Sequence, residues 1–164
     1  MRGGALPPAL LMAALGLLLA FGPRALWSRA VLAAALTAAI AWTVLHARAP
    51  TSARTEVIFL GLWASIALTA LLVHLPRGPS RAIALGAGAN AGLWAGAAVA
   101  AAGKPVDLAI ALPCTLIAFA ARPLIARGLG IGVKVAASWL IAVAILAALL
   151  PLTPTPGYVP DHMD

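Results

Sequence analysis

Long apolar runs alternate with short polar breaks along the chain, and each run is bounded by Arg, Lys, Pro or Gly. A helix needs about 20 apolar residues to cross the hydrocarbon core of a bilayer. In lipid, each such run must also satisfy its own backbone hydrogen bonds. The pattern therefore predicts an all-α integral membrane protein with short loops, a single bundle over 1–151, and six transmembrane helices at about 6–22, 30–46, 57–75, 82–102, 107–121 and 130–151.

The fifth run is the shortest of these segments. It contains Pro113 and is followed by Pro123. Because proline kinks or ends a helix, we expect this run to be short, kinked or re-entrant. A bundle of five spans therefore stays open as an alternative.

The first run has some features of a secretory signal peptide, because Arg2 precedes an apolar stretch that ends at Gly22. Pro23 directly after this stretch is a poor context for cleavage. Arg24 and Arg29 follow at once, as charges retained in the cytoplasm do. We therefore expect the first run to be a span of the mature protein.

The composition excludes an ordinary soluble domain. Hydrophobic residues make up 63% of the chain and charged residues only 9%, whereas about a quarter of the residues in soluble domains are charged. The 11 basic residues outnumber the four acids. They are spread between apolar runs instead of forming a patch, so we expect no nucleic-acid partner.

The basic residues are sorted unevenly between alternate loops. Short loops rich in Lys and Arg stay in the cytoplasm. The loops after runs one, three and five, with the start of run six, carry Arg24, Arg29, Arg77, Arg81, Arg122, Arg127 and Lys134. We expect these six arginines to lie at the anionic headgroups of the cytoplasmic face, and Lys134 to extend its ammonium to the same surface.

The opposite face is predicted to carry the remaining charges. These are Arg2, Arg48, Arg54 and Lys104, together with Glu56, Asp107, Asp161 and Asp164. Both termini are then predicted outside the cytoplasm, with 152–164 as an extended, proline-rich outer tail. The alanine-rich composition and short loops favour a bacterial inner membrane.

Gly88, Gly92 and Gly96 recur at every fourth position of the fourth run. Such a stripe of small residues lets two helices approach closely in lipid. We expect this helix at the centre of the bundle. Its partner is either another helix of this chain or a helix of another protein or a second copy.

Asn90 lies near the middle of the same run, where an unpaired amide is costly. It is expected to hydrogen-bond Ser65, Thr69, Thr115, Ser138 or a polar group on another chain. We expect this region to serve either helix packing or a solute path. The residues concerned are Gly88, Asn90, Gly92, Gly96, Ser65 and Thr69.

The runs carry no recognisable catalytic or metal-binding constellation. No acid or histidine falls at the middle of a run, and Cys114 is the single cysteine. His46 and His74 are predicted on opposite faces, so they cannot share a metal ion. We expect neither a metal nor another cofactor, and the sequence favours a protein that is not an enzyme.

The five tryptophans are predicted to serve two purposes. Trp27 and Trp42 lie near span ends, as in an aromatic belt, whereas Trp63, Trp94 and Trp139 lie deeper and are expected to pack between helices.

These features favour a non-catalytic accessory or assembly subunit of a larger membrane complex. The alternative is a small permease or channel for a neutral or anionic solute, lined by Asn90, Ser65 and Thr69.

Overall fold

A computed structural model describes residues 4–47 and 51–150 of the chain. Within these ranges the protein is all-helical and has no strand. The α-helices are α1 (Leu6–Ala20), α2 (Trp27–His46), α3 (Ser52–Leu72), α4 (Arg81–Ala102), α5 (Pro105–Ala111), α6 (Ile117–Ala126) and α7 (Gly130–Leu149). Two 3₁₀ turns, Arg24–Leu26 and Leu112–Leu116, precede α2 and α6.

Five helical segments in the described part of the chain are long and apolar enough to cross a membrane. They are α2 with its preceding turn, α3, α4, the continuous stretch Pro105–Ala126, and α7. α1 is apolar but has only 15 residues, which gives it a length of about 22 Å. The hydrocarbon core is about 30 Å thick, so the helical part of α1 alone is too short to cross it.

Local sequence explains where α3 and α4 begin. The side chain of Thr51 accepts a hydrogen bond from the backbone N–H of Arg54, and Ser80 does the same for Ile83. Such caps satisfy amides that the first helical turn leaves free and are each worth about 1 kcal/mol. The turn before α4 contains Gly78 at φ +67°, a conformation that favours glycine.

The fifth segment is one continuous helical stretch from Pro105 to Ala126. Its α-helical hydrogen bonding changes to a 3₁₀ turn at Leu112–Leu116, which contains Pro113, and this turn is called the bend of the fifth segment below. Pro123 lies inside α6 without ending it. The helix therefore continues beyond the predicted run at 107–121 and is long enough to span.

α1 occupies the centre of the bundle. It contacts α3, α4, the fifth segment and α7, and Leu11, Met12, Leu15 and Leu18 are fully buried. The glycine stripe had predicted that α4, and not α1, lies at the centre. α4 is the most buried of the five long helices, but the share of buried residues is larger in the short α1, at 11 of its 15 residues.

Contacts between pairs of helices fix their directions. Three glycines of α4 face three alanines of α2 in the same chain order, so these helices run parallel: Gly88 faces Ala30, Gly92 faces Ala34 and Gly96 faces Ala38.

α3 and α4 run antiparallel, because Ser65 bonds Asn90 while the earlier Gly61 meets the later Trp94. α1 and the fifth segment run parallel. Gly16 meets the backbone of Thr115, and further along both segments the carbonyl of Gly22 accepts a hydrogen bond from Arg122. α2 and α7 begin where α1 ends, because Trp27 bonds Leu19 and Lys134 approaches Phe21. Successive long segments therefore alternate in direction.

This alternation separates the charges of the described residues. One end, here called the basic end, carries Arg24, Arg29, Arg77, Arg81, Arg122, Arg127 and Lys134. The opposite end carries Arg54, Lys104, Glu56 and Asp107. The distribution has the pattern predicted from the loops. Arg2, Arg48, Asp161, Asp164 and the predicted tail at 152–164 lie outside the described residues.

Large apolar side chains cover the outside of the bundle. On α2 they form a stripe of Leu32, Leu36, Ile40 and Val44, each at least half exposed. Monomeric proteins in water rarely expose contiguous apolar surface along a whole helix. The exposed apolar faces and the five long apolar helices together support a membrane protein.

Candidate functional site

The glycine stripe of α4 is covered by α2 within the same chain. A Cβ atom added to Gly88, Gly92 or Gly96 would overlap the carbonyl oxygen of the alanine that faces it. Thr37 of α2 adds a polar contact, because its hydroxyl lies 2.9 Å from the carbonyl oxygen of Ala89 on α4. The spacing of the glycines in the sequence does not identify the partner of the stripe, and no sequence pattern singles out Thr37.

A small polar cluster joins α3 to α4 inside the bundle. Asn90 Nδ2 donates a hydrogen bond to Ser65 Oγ at 2.5 Å, and Ser65 is one of the partners named from the sequence. Thr69 lies one turn further along α3 and is 1% exposed. Among the described residues, its hydroxyl has no hydrogen-bond partner.

The other polar groups suggested for Asn90 are used elsewhere. Thr115 Oγ1 donates to the carbonyl of Leu112 in its own segment at 2.8 Å. Ser138 Oγ on α7 lies 3.1 Å from Nε2 of His74. This histidine therefore links α3 to α7, a contact that its position at a predicted span end did not indicate.

Histidines and acids do not converge in the described part of the chain. His46 stacks on Trp42, with ring centroids 4.8 Å apart, at the opposite end of the bundle from His74. Residues 4–47 and 51–150 contain no group of three or more His, Cys, Asp or Glu side chains that could hold a metal ion. Cys114 is partly buried, and its sulfur lies 3.7 Å from the carbonyl oxygen of Ile110.

The basic end contains a second constellation, built around Trp27. Its indole Nε1 donates to the carbonyl of Leu19 at 2.7 Å, and its ring packs nearly perpendicular to that of Phe119 at a centroid distance of 4.9 Å. The Arg122 guanidinium lies 5.7 Å from the same ring centroid and donates to the carbonyl of Gly22 at 2.9 Å. The expected place of Trp27 in an aromatic belt is thus wrong, because the side chain is 8% exposed and lies in the core.

A groove with a volume of about 430 Å³ opens beside this constellation, within the range of about 300–1,000 Å³ typical of ligand clefts. It lies between the start of α2 and the bend of the fifth segment. Its lining is mostly apolar and includes Leu19, Arg24, Trp27, Ser28, Val31, Thr115, Leu116, Ala118 and Phe119. The groove has no signature in the sequence, because its walls come from three separate segments.

The deeper tryptophans differ in their surroundings. Trp94 packs its ring against Gly61 of α3. Trp139 is 62% exposed, halfway along α7. The expectation that it packs between helices is therefore wrong for the helices described here.

The predicted headgroup residues also differ from one another. Arg24, Arg29, Arg77, Arg81 and Arg127 are exposed at the basic end, whereas Arg122 is partly buried. Lys134 Nζ lies 5.9 Å from the ring centroid of Phe21, so its ammonium contacts the end of α1.

Comparisons of the chain with protein-family models, with curated proteins and with solved structures found no match.

Proposed function

We propose that the chain is a multi-pass protein of a bacterial inner membrane, in which all six helical segments lie within the bilayer and the basic end faces the cytoplasm. The separation of charge between the two ends supports this orientation, because short loops rich in Arg and Lys are retained in the cytoplasm. Both termini are then on the other side of the membrane.

We further propose that this bundle is a non-catalytic accessory or assembly subunit of a larger membrane complex. The exposure of Trp139 carries the proposal, because this side chain is 62% exposed halfway along α7. Tryptophan in membrane proteins is enriched at the two interfaces, where its N–H group reaches water. A tryptophan that faces outward at mid-depth suits a protein surface better than lipid, and tryptophan dominates the binding energy of many interfaces.

The contacts between helices inside the bundle also support this proposal. The glycine stripe meets α2, and the hydroxyl of Thr37 and the amide of Asn90 each contact a second helix. These two polar groups, which a carrier could offer to a solute, hold helices together here. The outer face of α7 is consequently the better candidate for contact with a partner.

The test is affinity isolation of the tagged full-length protein from gently solubilised native membranes. A partner should be recovered at fixed stoichiometry, and Trp139→Ala should lower its recovery about tenfold or more, as loss of an interface hot spot does. Leu36→Ala is the matched control, because Leu36 is 56% exposed at the same depth on α2. Isolation of the chain alone, or equal losses in both variants, would contradict the proposal.

A second candidate function is a permease or channel for a neutral or anionic solute. Thr69 favours it, because its buried hydroxyl lacks a partner among the described residues and lies one turn from the pair formed by Ser65 and Asn90. An unsatisfied buried hydroxyl costs about 1–3 kcal/mol, and a passing solute would relieve this cost.

Uptake of glycerol and of inorganic phosphate into proteoliposomes tests this candidate. A solute path predicts uptake above that of empty vesicles, abolished by Asn90→Leu and reduced by Thr69→Val, in variants that elute as folded protein. Thr115→Val serves as the control, because Thr115 bonds its own segment. Uptake at the rate of empty vesicles would leave Asn90 and Ser65 as packing residues.

A further inference from the structure

The groove at the basic end has the form of a lateral cleft with an apolar interior and a charged mouth. Leu19 and Ala118 at its base are almost fully buried, whereas Leu116 and Phe119 on one wall are 58% and 60% exposed. Arg24 and Ser28, on the opposite side, are also exposed. The cleft therefore opens toward the surroundings of the bundle and not into a closed core.

Depth along the cleft follows from the helix directions. On α2, the lining residues pass from Arg24 at the basic end to Val31 deeper in the bundle, which is about 10 Å of helix rise. On the fifth segment, which runs the other way, Phe119 lies nearer the basic end and Thr115 lies about one turn deeper. One end of the cleft is thus at the level of the arginines, and the other lies among apolar side chains.

The charge at the mouth is not balanced by a nearby acid in the described residues. Arg24 lines the cleft, and the Arg122 guanidinium lies over the Trp27 ring that forms part of its wall. The described acids, Glu56 and Asp107, belong to the opposite end of the bundle. Guanidinium groups bind phosphate oxygens through charge-assisted hydrogen bonds.

We propose that this cleft is a binding site for an anionic phospholipid, with one acyl chain between α2 and the bend of the fifth segment and the phosphate at Arg24. A free anion would use the arginine but leave the apolar walls bare, whereas a neutral lipid would fill the walls but not complement the charge. Anionic lipid satisfies both, and attraction of basic residues to anionic headgroups adds to its affinity. The proposal is independent of whether Trp139 contacts a partner protein.

Native mass spectrometry of the purified full-length protein tests the site. The protein is exchanged into micelles that contain equal amounts of phosphatidylglycerol and phosphatidylcholine. We expect one retained phosphatidylglycerol in preference to phosphatidylcholine. Arg24→Gln should weaken its retention about fivefold, the effect of removing one basic residue near a headgroup, while Arg24→Lys should retain much of the preference.

Two matched comparisons separate this site from general attraction to the membrane surface. Arg77→Gln removes another exposed charge at the same end of the bundle, away from the cleft lining, and should leave retention unchanged. Val31→Trp fills the cleft and should remove the bound lipid, whereas Leu36→Trp on the outer face of α2 should not.

Equal retention of the two lipids by the unaltered protein would overturn the proposal. So would equal losses in Arg24→Gln and Arg77→Gln. If Val31→Trp does not elute as folded protein, the comparison of the two exposed arginines still decides the outcome.

Discussion

Gly92 of α4 lies against Ala34 of α2 so closely that a Cβ atom on the glycine would overlap the alanine carbonyl oxygen and also Thr37 Oγ1. The two backbones meet at this point, and the Thr37 hydroxyl lies beside the contact. Hydrophobicity contributes little to association between helices in lipid, so close packing and interhelical hydrogen bonds must hold them together. The parallel helices α2 and α4 are joined by both, through the close contact of the glycines and the hydrogen bond of Thr37.

Gly92→Ala should therefore destabilise the bundle by about 1–3 kcal/mol, as overpacking of a well-packed core does. The measurement is the free energy of unfolding from a titration with sodium dodecyl sulfate in mixed micelles. Gly86→Ala is the matched control, because a Cβ atom there meets nothing within 4 Å. Alanine favours a helix over glycine by up to about 1 kcal/mol, so this variant should be as stable as the unaltered protein or more so. Equal stability of the two variants would contradict the close contact at Gly92.

The spacing of the α4 glycines predicted this close approach, but it could not identify the partner. In a chain so rich in alanine, Ala30, Ala34 and Ala38 form no distinctive pattern. The central place of α1 was missed for a related reason. An apolar side chain is equally at home in lipid and in a membrane protein core, so hydrophobicity alone does not distinguish a buried helix from one that faces lipid.

Gly16 permits a second close contact, between α1 and the bend of the fifth segment. A Cβ atom there would lie 2.6 Å from the carbonyl oxygen of Thr115 and 2.6 Å from Cγ2 of Ile117. Gly16→Ala should reduce the free energy of unfolding by about 1–3 kcal/mol. Gly132→Ala on α7, where a Cβ atom meets nothing within 4 Å, should not. A stable Gly16→Ala variant would mean that α1 can shift away from the bend at little cost.

The region at the basic end could be predicted only in part. The arginines were assigned to one face from loop composition, because charge near a span end indicates orientation whatever the tertiary contacts. The burial of Trp27 depends on Leu19, Phe119 and Arg122, which come from distant parts of the chain. No local pattern distinguishes such a tryptophan from one at the membrane interface.

The hydrogen bond from Asn90 to Ser65 should appear as an energetic coupling between the two residues. In a double-mutant cycle of Asn90→Leu and Ser65→Ala, we expect a coupling energy of about 0.6–2 kcal/mol in the free energy of unfolding. Thr115→Val provides the comparison, because Thr115 donates to Leu112 within its own segment. Combined with Asn90→Leu, its effect should be additive within about 0.5 kcal/mol. Additivity in both cycles would show that the amide and the Ser65 hydroxyl do not stabilise each other.

The alternating helix directions make the orientation of the whole bundle testable with two exposed positions. In a Cys114→Ala background, Ala25→Cys lies at the basic end and Ser52→Cys at the opposite end, and both native side chains are exposed. A membrane-impermeant maleimide should label Ser52→Cys in intact spheroplasts but label Ala25→Cys only after permeabilisation, because arginine-rich loops are retained in the cytoplasm. The Cys114→Ala parent should remain unlabelled and reports background. The reverse pattern would show that the basic end faces outward. Labelling of both positions before permeabilisation would place the two ends on the same side, which would contradict the spanning of α2.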